Sequence, residues 1–361
     1  LKIGINALTL SDNNSGIGNY TINLINNLAN ISDDEYILFS SCGPKIRGLI
    51  NEKIEIIDLP LASKNKYTRL FTEQVHLPLQ IKREKIDLML NPAFTMPLMA
   101  KCRNIVTVHD MAYKIYGEGS AIYARIYMRL FFDSSIKRAD EIITVSESTK
   151  RDLIKYFPDR KNVKSIHLGT IKYSSREKER PEALMGNDKF LLVVGTITPR
   201  KNNLGIIKAF DRIKDMTDCK LLFAGGFAWK SDEIHEYIKD NNLEDRVLLP
   251  GYLSDEELAW SYENAEMLLY CSFYEGFGFP PIEAMASGTP VIASNVSSIP
   301  EVAGDAAILV DPHDLEMIGE KILRLLNDDE LRNELITKGN ERHRLFTWEK
   351  TAEETLKVIK E

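Results

Sequence analysis

Two successive runs of short apolar segments, alternating with helical patterns, constrain this chain more than any other feature. In the first run, Lys2 to Leu8, Tyr36 to Ser40, Ile54 to Leu59, Ile86 to Leu90, Ile105 to His109, Ile142 to Val145 and Val163 to His167 are β-branched or aliphatic stretches of strand length. Helical patterns fall between most of them, for example at 18–29, 120–138 and 147–156. A second run starts at Phe190 to Gly195 and continues through Lys220 to Ala224, Arg246 to Pro250, Met267 to Tyr270, Val291 to Ser294 and Ile308 to Val310. Such alternation predicts parallel sheets covered by helices on both faces. Ser174 to Pro181 between the runs is polar and aperiodic. The predicted architecture is therefore α/β, with two doubly wound, Rossmann-like domains facing across a cleft: residues 1–170, a linker 171–187, and residues 188–344. Ligands are expected at the carboxyl ends of the strands.

The 361 residues, 44% hydrophobic and 27% charged, suffice for two cores. The four cysteines, at 42, 102, 219 and 271, form no C-x-x-C pair, so neither a disulfide framework nor a zinc site is suggested. No stretch approaches the roughly 20 consecutive apolar residues that a spanning helix needs, and the chain opens on a strand-like Leu1 to Ile5. The expected location is cytoplasmic, with any membrane contact peripheral on the inner face, and nucleic acid is not an expected partner. Charge is uneven. Residues 1–168 hold 23 Lys+Arg against 18 Asp+Glu, and the remainder hold 23 against 35, for a net −7. The basic half would attract an anionic acceptor or an anionic membrane surface, although two domains of opposite charge would also favour each other.

The densest chemistry lies in Glu275-Gly-Phe-Gly-Phe-Pro-Pro-Ile-Glu283, which follows the strand-like Met267 to Tyr270. Gly276 and Gly278 allow a sharp turn and a close backbone approach to a ligand. A helix start at Pro281 would aim unsatisfied N–H groups at the same spot, a geometry suited to phosphate. Glu283 in the first helical turn would lean back toward the pocket that Glu275 enters from the loop. A glutamate there also complements the helix dipole without any ligand.

This segment resembles the E-x7-E signature of the nucleotide-sugar glycosyltransferases of family 4, whose fold is called GT-B. Gly288 to Asn295, Ile299 to Asp305 and Val310-Asp311-Pro312 resemble the same family in its usual order. The resemblance implies that Glu275 holds sugar hydroxyls and Glu283 the ribose, with Gly276, Phe277, Gly278 and Phe279 lining the donor. Arg200 and Lys201, at the carboxyl end of the first strand of the second domain, would then stabilise the leaving diphosphate. Many family members carry arginine directly after the strand glycine, where this chain has Thr196. His109, in Thr107-Val-His-Asp110, is implied to position the transferred sugar, with Asp110 as its orienting neighbour; no H-x-x-x-H offers it a metal partner. Gly16 and Gly18 would form a loop at a helix N-terminus against the diphosphate. They do not make a dinucleotide fingerprint, because Thr21 stands where the third glycine belongs and a long loop precedes them. Gly251, Tyr252 and Leu253, before the Ser254/Glu257 capping box, are candidates for contacts to the base. A helix within 345–361, capped at Thr347, is implied to return to the first domain.

The implied activity is retaining, metal-independent transfer of a hexose from a nucleotide diphosphate sugar, which serves as co-substrate with no separate cofactor. No D-x-D occurs in the chain to recruit a metal. Mannose from GDP-mannose is the expected donor, and a glycan or lipid-linked glycan of bacterial lipopolysaccharide or O-antigen the expected acceptor. A sugar-nucleotide epimerase, or a glucosyl- or N-acetylglucosaminyltransferase using a UDP-sugar, are the alternatives. The segment 120–138, with Arg125, Arg129, Lys137 and Arg138, reads either as a membrane-surface helix or as a core helix whose cations face solvent.

Overall fold

The computed structural model describes residues 1–10, 16–63, 65–116, 128–170, 177–186, 188–227 and 232–361. The chain divides into two units, Leu1–Gly169 with Thr347–Glu361, and Thr170–Phe346.

In the first unit the apolar runs form β1 (Lys2–Ala7), β2 (Glu35–Ser40), β3 (Ile54–Asp58), β4 (Leu88–Asn91), β5 (Arg103–Val108), β6 (Glu141–Thr144) and β7 (Val163–Ser165). They pair in the order β3-β2-β1-β4-β5-β6-β7, all parallel. Both faces are covered, so Ile3, Ile5, Ile37, Leu38 and Phe39 are buried along whole strands rather than in alternation. The order reverses between β1 and β4, and at such a switch point the loops diverge to leave a crevice.

The helix Trp348–Lys360 packs against the helix Gly16–Ile31. Thr347 caps it by accepting from the Lys350 N–H. Its last carbonyls, which have no helical partner, are met by Arg103: Nη1 donates to Ile359 O and Nη2 to Val358 O, each at 2.7 Å. Gly169 faces its first turn so closely that a Cβ there would lie 2.3 Å from the Trp348 nitrogen.

The second unit is built on β8 (Phe190–Val194), β9 (Lys220–Ala224), β10 (Val247–Gly251), β11 (Met267–Tyr270), β12 (Val291–Ser294) and β13 (Ile308–Val310), ordered β10-β9-β8-β11-β12-β13. Alternation along β8 sends Leu191 and Val193 to a core with Phe210, Phe223 and Ile292. Phe190 and Leu192 face the opposite core, with Tyr262, Leu268 and Met285. The order reverses here between β8 and β11.

The two parallel sheets bear out the α/β reading, and several local expectations are corrected. Strands stop short of the histidines: β5 ends at Val108, leaving His109 in the loop beyond, and β7 ends at Ser165. Gly16 and Gly18 are the first and third residues of a helix rather than a loop. Of 120–138, residues 120–127, with Arg125, lie outside the described residues. The rest is a π turn, Met128–Phe132, leading into the helix Asp133–Arg138. Phe132, Ser135 and Ile136 are buried, while Arg129, Lys137 and Arg138 are exposed. Among the described residues no helix is long and apolar enough to cross a membrane.

Candidate active site

The switch point of the second sheet sets adjacent β8 and β11 to deliver their following loops side by side. The β8 loop carries Pro199–Lys201, a short 3-10 turn that ends on Asn202 in the left-handed region, φ 56°. Asn202 can hold that conformation because its Nδ2 donates to Cys271 O at 3.1 Å and Pro312 O at 2.8 Å. The β11 loop carries Glu275. Its backbone is pinned from the turn after β12: Ser297 Oγ accepts from the Glu275 N–H at 3.0 Å, and buried Ser298 donates to the carbonyls of Glu275 and Phe277 at 2.9 and 2.7 Å.

The two loops meet in an ion-paired cluster. Glu275 is 7% exposed, with Arg200 Nη1 2.9 Å from Oε2 and Lys201 Nζ 2.7 Å from Oε1. Arg200 also donates to Tyr274 O at 2.6 Å. Lys201 donates to the Tyr270 hydroxyl at 3.0 Å, its ammonium 4.8 Å from that ring's centre. Burial by itself would push the Glu275 carboxyl up, but the charges of Lys201 and Arg200 outweigh it and hold the pKa at about 2. Burial, followed by the Glu275 charge, drives the Tyr270 phenol well above its usual value, so it stays protonated. One carboxylate between two cations leaves the cluster net positive, a fit for an anion with more than one charge.

Gly278, at φ 116°, is the N-cap of the helix Phe279–Ala286. That conformation favours glycine, and Pro280 and Pro281 sit where the missing N–H costs nothing. The helix thus begins two residues earlier than its prolines suggest. Glu283 is its fifth residue, two residues further in than expected, and it is buried. Its Oε2 accepts from Tyr262 Oη at 2.7 Å. Tyr262 lies on the helix Asp255–Asn264, opened by the Ser254/Glu257 capping box. Nothing in local spacing points to it, because the pairing spans 21 residues between separate helices. Gly251, at φ 89°, closes β10, and Tyr252 beyond it is exposed. A cavity of about 430 Å³ beside the Pro199–Lys201 turn is lined by Thr198, Asn202, Asn203, Phe273 and His313. Neither glutamate nor either cation lines it, so it is separate from the cluster. Among the described residues no three His, Cys, Asp or Glu side chains gather as a set able to hold a metal ion.

His109 belongs to the first unit. Its Nε2 lies 2.7 Å from Pro92 O, and a carbonyl can only accept, so Nε2 carries the proton. Burial lowers the imidazole pKa, against the opposing pulls of Pro92 O and Asp110. The ring is therefore neutral near pH 7, with Nδ1 left as an acceptor. Tyr20 and Phe94 fix its plane edge-on, with centroids at 4.8 and 5.6 Å. Asp110 Oδ1 is engaged elsewhere: it accepts from the Ala112 N–H at 2.9 Å, capping the turn that follows. The carbonyl of Pro92 does the orienting instead.

Tyr262→Phe supplies a prediction. A hydrogen bond to a buried carboxylate is worth about 1.5–3 kcal/mol, so urea unfolding should register a loss of about that size. If Glu283 grips the donor in ground and transition states alike, Tyr262→Phe and Glu283→Gln should both raise the donor KM with little change in kcat. A selective loss of kcat in either variant would contradict that role.

The model for "Glycosyltransferase Family 4" matches residues 14–170, and that for "Glycosyl transferases group 1" matches residues 174–342. The chain is 31% identical over 282 residues to O-antigen chain mannosyltransferase B of Escherichia coli, covering 74% of this chain and 73% of that protein. It is 29% identical over 321 residues to O-antigen chain mannosyltransferase RfbU of Salmonella typhimurium, covering 86% and 87%. A sucrose-phosphate synthase from Thermosynechococcus elongatus shares the fold, with a TM-score of 0.78 at 22% identity over 99% of this chain and 98% of that one. On the matched models, the relatives and the two parallel sheets, this chain is a glycosyltransferase of family 4 with the GT-B fold.

Proposed function

We propose that the enzyme transfers mannose from GDP-mannose to a hydroxyl of a glycan or lipid-linked glycan, with retention and without a metal ion, in O-antigen or related surface-polysaccharide synthesis. The observation that carries the chemistry is the Arg200–Glu275–Lys201 cluster at the switch point of the second sheet. The mannosyl reading is supported by two relatives that are both O-antigen chain mannosyltransferases.

In this reading the donor diphosphate takes over Arg200 and Lys201, and Glu275, released from them, accepts from sugar hydroxyls. The bond from the anomeric carbon to the diphosphate oxygen breaks as the acceptor oxygen bonds to the same face. The acceptor proton passes to the departing phosphate. Negative charge grows on the diphosphate as that bond lengthens, and two pre-placed cations stabilise it without reorganisation. Neutral His109 would position the sugar through its Nδ1 acceptor, and Glu283 the ribose. Peripheral contact with an anionic membrane on the cytoplasmic side belongs to the same reading.

Isothermal titration with GDP-, UDP- and ADP-sugars tests the donor, with GDP-mannose expected to bind tightest and turnover expected to persist in EDTA. Preference for a UDP-sugar would replace the mannosyl reading. Activity abolished by chelator and restored by Mg²⁺ or Mn²⁺ would overturn the metal-free mechanism, and isomerisation of donor in the absence of acceptor would point to an epimerase.

A further inference from the structure

The β3-to-β4 connection contains a helical segment, Lys66–Arg83, whose outward face is apolar. It runs as an α-helix over Lys66–Phe71, a π turn over Thr72–His76 and an α-helix over Leu77–Arg83. Thr72, Glu73, Leu77 and Ile81 are buried on its inner side. On its outer side Phe71, Val75 and Leu79 are 52%, 42% and 60% exposed, and Tyr67 precedes them at the same spacing of four. In a regular α-helix each step of four drifts by about 40°. The wider π turn takes back part of that drift, so the stripe stays nearly straight. A helix packed on one face and apolar on the other departs from the ordinary surface helix, whose outward side is polar.

Cations frame the stripe. Lys82, Arg83 and Lys85 are exposed at its end. The one acid in the segment, Glu73, turns inward, accepting from Asn6 Nδ2 at 3.1 Å and Thr95 Oγ1 at 2.8 Å, and Glu84 just beyond it lies 3.6 Å from Arg83. The patch also extends sideways. Gln74 donates to Met96 O and accepts from the Leu98 N–H, which sets exposed Met99 beside the helix, and exposed Arg138 donates to Leu98 O.

We propose that this outward face of residues 66–83, with Met99 and Arg138, is a docking surface for an anionic lipid bilayer. Aromatic and aliphatic side chains flanked by Lys and Arg at one end and one side match the chemistry of a bilayer interface bearing negative headgroups. A two-fold contact with a second copy would instead bring the same cations together. The inner side of the helix reaches the site: Glu73 holds Thr95, in the loop whose Pro92 carbonyl orients His109. A bilayer on the outer side would thus lie about one helix diameter, ~10 Å, from that loop. The purpose of such docking rests on the proposed lipid-linked acceptor, but its detection does not.

The test uses the full chain and two kinds of vesicle, phosphatidylcholine alone and phosphatidylcholine with phosphatidylglycerol. Co-sedimentation is expected only with the anionic vesicles and should weaken as salt rises. The Lys82→Glu, Arg83→Glu variant should lose binding by roughly thirtyfold or more, since each basic residue at such a surface contributes about a fivefold factor. Phe71→Ser with Leu79→Ser should lose about tenfold or more. Melting temperatures should stay unchanged, because the replaced side chains are exposed. Absence of anionic-vesicle binding at low salt, or binding that survives both double variants, would overturn the proposal. So would a dimer in the unaltered protein that the Phe71/Leu79 variant dissociates without any vesicle binding, which would mark a self-interface. Donor titration on the same preparations separates the two readings: donor binding without vesicle binding leaves the transferase intact and removes only the docking surface.

Discussion

Glu275→Gln is expected to lower kcat by about 10² and to destabilise the second unit at the same time. The catalytic part follows from its place: a carboxylate that accepts from sugar hydroxyls as the glycosidic bond breaks acts on the transition state, where one such electrostatic contact is worth about 10²–10³ in kcat. The stability part follows from the ion pairs. Removing one member of a buried pair costs about 3–5 kcal/mol, because the partner is left charged and desolvated. Arg200 and Lys201 keep 19% and 15% of their side chains exposed, so a loss nearer 2–3 kcal/mol is expected here, since water still reaches the stranded cations.

The stability difference should depend on pH with a definite sign. The Glu275 pKa in the folded protein, about 2, lies below the ordinary carboxylate value of 4.5. Its stabilisation is therefore complete above the unfolded pKa and lost as pH falls from about 4.5 to about 2. Urea unfolding of wild type and Glu275→Gln should show a gap that is full at neutral pH and narrows through this window. A gap that does not change with pH would mean that the cluster is not held by the ionised carboxylate.

Lys201→Ala is expected to reduce kcat by about 10² with a smaller loss of stability, because Arg200 still neutralises Glu275. The ammonium is fixed before any ligand arrives, between the Tyr270 hydroxyl and Glu275. Positive charge placed in advance where charge will develop is the condition for electrostatic catalysis. Steady-state kinetics with varied donor distinguish this from simple binding: a uniform contact would raise KM and spare kcat. Lys201→Arg, which keeps the cation, should recover part of the rate. A kcat near wild type in Lys201→Ala would remove Lys201 from the chemistry and leave it as a structural partner of Glu275.

The family and the α/β architecture were legible before any coordinates, for physical reasons. Strands buried on both faces must be continuously apolar, so β1, β5, β8 and β12 announce themselves as local runs. Caps act within a few residues, so Ser254 with Glu257, and Thr347, could be read in place. Glu275, Gly278 and Glu283 lie within one short stretch, and their chemistry is visible there. The extent of the helices was less legible. Gly278 moves the start of its helix ahead of Pro281, and Gly16 and Gly18 lie within a helix, because a first turn tolerates residues that a helix interior does not.

The tertiary structure alone decided which groups meet. Arg200 and Lys201 reach Glu275 across some seventy residues because β8 and β11 are neighbours only after the sheet reverses its strand order. Tyr262 finds Glu283, Pro92 rather than Asp110 orients His109, and Ser298 holds the Glu275 backbone, each through pairings between separate elements. The outward apolar stripe of residues 66–83 belongs here too, since its apolar residues give no sign in the sequence of which side of the helix the core will cover. A sequence carries local propensity and period at each position, whereas burial and partnership depend on how distant strands are ordered in the sheet.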